Sequence, residues 1–225
     1  MTNAPNRLSP DAEAILEDMY SSPKLDGADG PVEIDAVTRI DRTMGSELHR
    51  LVRDAGAKRS LEVGLAYGFS TIWIMDALAE GGSHTAIDPF QASYWSGVGA
   101  TQARRLANRD FQLIEDFSIH ALSDLIRAGE RFDFIFIDGN HRFDDVLVDF
   151  YLADQLLTVG GIMALDDSWM PSIRTAANFV AANRAYDPVV QRSPGMAAFR
   201  KLRDDDRDWR HFRPFEVSAG QAGGH

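Results

Sequence analysis

The chain contains no cysteine in 225 residues. Composition alone therefore excludes disulfide staples, thiolate zinc sites and cysteine nucleophiles. Positive charge is also scarce: 23 Lys and Arg stand against 34 Asp and Glu, a formal net charge of −11. A protein whose main task is to neutralise phosphate backbones needs clustered cations, so nucleic acid is a poor partner here. No run approaches the roughly 18 apolar residues of a membrane span, and the first thirty residues lack a basic segment followed by an apolar one. These absences predict a soluble, cytoplasmic protein with no membrane partner. What the chain does have is core. At 44% hydrophobic residues it is long enough to bury roughly 70% of its unfolded surface, which suits one compact domain.

From Ser60 to Arg184, apolar runs of strand length alternate with longer amphipathic runs. Strands are predicted at Ser60–Gly64, Thr85–Asp88, Phe111–Glu115, Phe132–Asp138 and Gly161–Asp166, and helices at Thr71–Leu78, Thr101–Asn108, His120–Arg127, Asp144–Leu157 and Ile173–Asn183. This fivefold repeat predicts an α/β fold with a Rossmann-like, doubly wound, mostly parallel sheet. Pro188–Gln191 and Ala197–Leu202 flank Ser193-Pro194-Gly195, which predicts a C-terminal antiparallel hairpin and a sheet of about seven strands. Ahead of the sheet, Asp11–Tyr20 and Asp35–Ala55 read as helices, separated by the Pro-, Gly- and Ser-bearing stretch Ser21–Gly30. The expected division is residues 1–58 as N-terminal helices on the core or forming a lid, 59–217 as the sheet domain, and 218–225 as a flexible tail.

The first predicted strand of the sheet runs into Leu61-Glu62-Val63-Gly64-Leu65-Ala66-Tyr67-Gly68-Phe69-Ser70, which then becomes helical. A glycine-rich turn at that junction lets a ligand approach the backbone and meet free N–H donors. A dinucleotide site would carry G-x-G-x-x-G; this loop reads E-x-G-x-x-x-G. Without the middle glycine, and with Glu62 repelling phosphate, the loop suits a ligand with an ammonium group better. The next strand ends at Asp88, an acid placed to accept hydrogen bonds from ribose hydroxyls. Adenosine plus an amino acid is the composition of S-adenosylmethionine. The plainer reading is that Gly64 and Gly68 only turn the chain and Asp88 only ends a strand.

The fourth and fifth strands end in Asp138-Gly139-Asn140-His141 and Asp166-Asp167-Ser168-Trp169. Neighbouring strands would bring all three carboxylates to one sheet edge, where they repel unless a cation sits among them. Oxygen ligands favour a hard ion, Mg²⁺ with Mn²⁺ or Ca²⁺ as substitutes, held by Asp138, Asp166 and Asp167. His141 can act as a general base near neutral pH; the alternatives are a surface-loop histidine or a further metal ligand. Asp144 and Asp145, opening the next helix, read as caps.

The segment Leu61–Leu78 resembles motif I of the class I S-adenosylmethionine-dependent methyltransferases. More narrowly, the chain is similar to the catechol O-methyltransferase-like group and to the bacterial family of macrocin-type O-methyltransferases and cephalosporin-hydroxylase-like proteins, over roughly Ser46–Leu202. The resemblance implies Glu62 near the methionine ammonium, with Gly64, Tyr67 and Gly68 in the loop beneath the cofactor and Ser70 at its carboxylate. It also implies Asp88 on the ribose and Asp116, Phe117 and Ser118 around the adenine. Asp138 would touch both cofactor and metal. His141 stands where the catechol enzymes place a catalytic lysine, and Asp167 where they have asparagine. The expected activity is metal-assisted methyl transfer to a hydroxyl of a small molecule. The rivals are a nicotinamide-dependent oxidoreductase, a non-catalytic cofactor-binding protein, and a non-haem iron oxygenase, for which the site offers only one histidine. Related enzymes often assemble, which makes the N-terminal helices candidate homo-oligomer interfaces.

Overall fold

The structure is a computed structural model describing residues 7–218. Helix α1 (Pro10–Ser21), the short hairpin β1 (Lys24–Gly27) and β2 (Gly30–Glu33), and helix α2 (Arg42–Ala55) lead the chain. The alternating part comes next: β3 (Arg59–Val63), α3 (Phe69–Ala77), β4 (Ser83–Ile87), α4 (Val98–Arg104), β5 (Asp110–Ile114), α5 (Ser118–Arg127), β6 (Phe132–Ile137), α6 (Phe143–Leu156), β7 (Leu157–Leu165) and α7 (Pro171–Asn183). Strands β8 (Tyr186–Val189) and β9 (Ala197–Lys201) close it. The main sheet has the order β5-β4-β3-β6-β7-β9-β8, parallel from β5 to β7, with β9 antiparallel to both neighbours. This is the Rossmann-like, mostly parallel seven-stranded sheet with a C-terminal antiparallel hairpin that the alternation predicts. Strand order reverses between β3 and β6, and open sheets of this kind bind ligands at that switch point.

The central strands are apolar because both faces are covered. In β6, Phe134, Ile135, Phe136 and Ile137 are all buried. On one face Leu48, Leu51 and Val52 of α2 pack against Phe134, Phe136 and Ile162. Each such side chain contributes about 1.5–3 kcal/mol over leaving it exposed. Asp76 of α3 ties the N-terminal helices in, accepting from the Ser9 N–H at 3.2 Å and lying 3.1 Å from His49 Nε2. Ser9 in turn caps α1.

Several boundaries differ from the sequence reading; α4, for one, runs Val98–Arg104 rather than Thr101–Asn108. The second helix starts at Arg42 rather than Asp35, because Asp41 caps it through the Met44 N–H at 2.8 Å while Asp35 turns the chain through Val37 and Thr38. The stretch Ser21–Gly30, read as a break, contains β1 and the turn into β2, whose four-residue strands are too short to display alternation. Strand β7 begins at Leu157, before Gly160–Gly161, where its pairing with β6 shifts register between Leu157 and Ile162. Of the tail 218–225, only Ser218 lies within the described residues. Among those residues no helix is long and apolar enough to cross a membrane.

A polar cluster is buried beneath the β8–β9 edge. Asp154 of α6 accepts hydrogen bonds from Arg184 and the Tyr186 hydroxyl. The Lys201 ammonium, 3.7 Å from an Asp154 side-chain oxygen, donates to the Asp154 and Leu157 carbonyls and pairs with Asp204.

Candidate active site

The tips of β3, β4, β6 and β7 meet at the switch point. After β3 the loop passes through Gly64 at φ +95° and Gly68 at φ +83°. A Cβ on Gly64 would stand 2.1 Å from the Asp138 carbonyl oxygen, so only glycine lets the β3 and β6 tips approach this closely. The loop delivers the N-terminus of α3, whose first N–H groups belong to Phe69, Ser70 and Thr71.

Several expected cofactor contacts are otherwise employed. Glu62 is fully buried, and both its carboxylate oxygens are taken: Ser70 and Thr71 donate hydroxyl hydrogen bonds, and His84 Nε2 lies 3.0 Å away. It braces the start of α3 from beneath the loop instead of standing on the pocket wall, and Ser70 spends its hydroxyl on that brace. His84 is the missed partner; it lies within β4 and also contacts the Ser60 hydroxyl at 2.8 Å. Tyr67 is buried in the cluster with α1, its hydroxyl directed to Asp35 at 3.1 Å. Asp88 Oδ2 accepts from Leu65 N, Ala66 N and Gln91 Nε2, whereas Oδ1 accepts only from Phe90 N at 2.8 Å. With about four lone-pair positions per carboxylate, Asp88 has room at Oδ1 for one further donor, not for a bidentate pair.

Asp116 is exposed and faces its own helix start, accepting from Phe117 N at 2.7 Å and contacting His120 at 3.2 Å. Phe117 is exposed, edge-on to Phe90 at 5.9 Å. Ser118 opens α5 and hydrogen-bonds Asp149, which sequence reasoning did not single out. Burial pushes the Asp149 carboxyl up to about 6, with the Ser118 bond opposing. The signal was available: Asp149 falls on the inward stripe of α6 with Val146, Phe150 and Ala153.

Of the acids at the β6 and β7 tips, Asp138 and Asp167 meet at His141, and Asp166 stands near them. Asp138, His141 and Asp167 each bring a ligand atom within 4.8 Å of the others. His141 Nε2 stands 3.1 Å from Asp167 Oδ2 and 3.6 Å from Asp138 Oδ1, yet this shielded nitrogen makes no well-oriented hydrogen bond. Asp166 lies outside that group. Successive residues at a strand end point to opposite sides, and Asp167 takes φ +49°, turning to the loop side while Asp166 stays buried. Trp169 Nε1 donates to Asp167 Oδ1 at 2.7 Å. Burial raises the Asp138 carboxyl to about 6 against the pull of His141, and burial plus the charge of Asp138 lifts Asp166 well above the carboxylate range. The contact with Asp138 raises the His141 imidazole, with burial opposing and the Asp167 charge assisting. Carboxylates made this costly to ionise beside an unsatisfied nitrogen form a donor set suited to a divalent cation.

Residues 61–168 match the family model described as a methyltransferase domain. The match takes in just under half of the chain. It is 30% identical over 142 residues to tapetum-specific methyltransferase 1 of Arabidopsis thaliana, covering 62% of this chain and 60% of the relative. It is 29% identical over 134 residues to caffeoyl-CoA O-methyltransferase 1 of Zea mays, covering 57% of this chain and 50% of the relative. The chain thus spans between half and three-fifths of these curated relatives. Among solved structures, an O-methyltransferase from Bacillus cereus in complex with SAH superposes with a TM-score of 0.66 at 20% identity, over 87% of this chain and 92% of the other. The matched segment begins in β3 and ends just past Asp167, so it contains the glycine loop, Asp88 and the whole acidic edge.

Proposed function

We propose that the protein is an S-adenosylmethionine-dependent, divalent-metal-assisted O-methyltransferase acting on a hydroxyl of a small molecule. The observation that carries this reading is the convergence of Asp138, His141 and Asp167 at the mouth of the methyltransferase domain's glycine loop. When bound, S-adenosylmethionine supplies an electrophilic methyl carbon, and a cation such as Mg²⁺ supplies the charge that acidifies an acceptor hydroxyl. Asp138 and Asp167 would hold the cation through their carboxylates, with Asp166 behind them. The N–H groups that open α3 hold the cofactor's carboxylate, Asp88 Oδ1 one ribose hydroxyl, and Ser118 the adenine side.

His141 Nε2 takes the acceptor's proton. Its two carboxylate neighbours, 3.1 and 3.6 Å away, strengthen it as a base. The oxygen–methyl bond forms as the sulfur–methyl bond breaks, and the chain's contribution is to hold the two reactants in line, which is worth roughly 7–11 kcal/mol in well-oriented cases. Residues 59–217 form the catalytic domain in this reading and 1–58 its cover. A cytoplasmic location without nucleic-acid partners accords with the net charge of −11.

The test is a calorimetric titration of S-adenosylhomocysteine (SAH) into the folded protein with Mg²⁺ or with EDTA, and NAD⁺ as control. Binding of SAH and not NAD⁺ is expected. No SAH binding in either buffer would end the methyltransferase reading, and methyl transfer unaffected by chelator would end the metal role.

A further inference from the structure

Beside the acidic edge lies a cavity of about 520 Å³ between the β7 tip and the turn joining β8 to β9. It is one residue from the cation candidates: Ser168 and Trp169 form one wall, and the Ser168 N–H donates to the Gly195 carbonyl at 2.8 Å to close the other. In a chain of net charge −11, the only charged side chains lining it are Arg174 and Arg192. Neither makes an ion pair among the described residues. Arg174 is pinned to the wall by the Ser168 and Trp169 carbonyls, at 3.2 and 3.0 Å through Nε and one terminal nitrogen, which leaves its other terminal nitrogen free to donate. The backbone N–H of Arg192 is held at 3.0 Å by Glu47, and the Arg192 charge shares that carboxylate with Arg50, which forms the direct ion pair. A third group also wants a partner: Gln191 Oε1 is buried in the lining without a hydrogen bond while its Nε2 is spent on the Val189 carbonyl.

Two guanidinium groups without a direct ion pair among the described residues and one unsatisfied acceptor describe the missing occupant. It carries an anionic oxygen group for the arginines and an O–H or N–H for Gln191. We infer that this cavity is the acceptor site and that the methyl acceptor is a hydroxylated acid, its carboxylate or phosphate held by Arg174 and Arg192. The inference rests on the methyltransferase reading for the word acceptor, but the binding chemistry stands on the cavity alone. Arginine suits this task because its planar fork matches the two oxygens of such a group.

The test measures binding to protein loaded with SAH and Mg²⁺, using probe pairs that differ in charge: 3,4-dihydroxybenzoate against 3,4-dihydroxybenzamide, and glucose 6-phosphate against glucose. The charged member of at least one pair is expected to bind about tenfold or more tightly, and the winning pair tells carboxylate from phosphate. Arg174→Gln and Arg192→Gln should each erase most of that preference while SAH affinity stays unchanged, and Arg192→Lys should keep part of it. Equal affinity within both pairs, no binding of any probe, or a preference that survives the double Gln variant would overturn the inference. Failure of SAH to bind would instead strike the methyltransferase reading, and the probe preference would still be read on the protein with Mg²⁺ alone.

Discussion

Two groups of buried or half-buried charge sit at opposite ends of the same β7 strand, and they are built differently. Beneath the β8–β9 edge, Asp154 meets Arg184, Tyr186 and Lys201, so a single carboxylate is answered by two cations and a hydroxyl. At the strand tips, Asp138, Asp166 and Asp167 have one histidine between them, and its inward nitrogen goes without a well-formed hydrogen bond. Burying charge is costly in both places. In the first, the chain meets the cost with its own residues and gains a fixed β8–β9 edge; in the second, it leaves the cost standing, which is reasonable only where something else completes the site.

The contrast breaks most sharply at His141. His141→Gln should lower methyl transfer by about 10²–10⁴-fold, the usual worth of a general base, with Mg²⁺ affinity retained. Loss of Mg²⁺ affinity in that variant, read by calorimetry, would make His141 a ligand and not the base. At the other end of β7, Asp154→Ala should cost about 3–5 kcal/mol in urea unfolding, because it takes the buried carboxylate from Arg184 and from the Tyr186 hydroxyl. The paired change at the tips, Asp166→Asn, should leave stability level or raised at pH 7; a loss as large as that of Asp154→Ala would erase the distinction between the two clusters.

A finer probe is Asp149, whose folded carboxyl lies at about 6 against 3.8 for the free group. Below pH 3.8 both folded and unfolded forms hold the proton and the group is neutral to stability. As pH rises from there to about 6, the unfolded chain releases its proton first and the fold loses up to about 3 kcal/mol, a loss that then stays constant. Asp149→Asn removes this dependence. Its stability relative to the parent protein should therefore climb between pH 4 and 6 in urea melts, and a flat difference would show that burial does not tax this acid.

Much of the fold could be read from the chain because the central strands, such as Phe134–Ile137, are apolar on both faces and each is succeeded by an amphipathic run. The acidic edge was legible for the same reason: parallel strands that end at a switch point bring their next residues, acids in both β6 and β7, to a common edge. The rest escaped because it depends on which way a side chain faces. Glu62 lies diagonal to His84 across the β3–β4 pairing, in which Ser60 stands opposite His84, and that partner is 22 residues away in sequence. The choice of Asp167 over Asp166 for the cation group turns on one positive φ, which no composition or spacing announces. The β1–β2 hairpin is simply too short to show a period.

The contact between Gly64 and the end of β6 has one more consequence. The Asp138 N–H donates to the Val63 carbonyl at 2.9 Å while its own carbonyl fills the space a side chain at position 64 would need. The glycine loop and the Asp138 tip thus share a stiff mechanical joint, with no soft side chain between them to absorb a displacement. If occupancy of either site shifts that joint, thermodynamic reciprocity requires the two affinities to change by the same factor, so a cation titration performed with and without bound nucleoside reports how rigid the joint is.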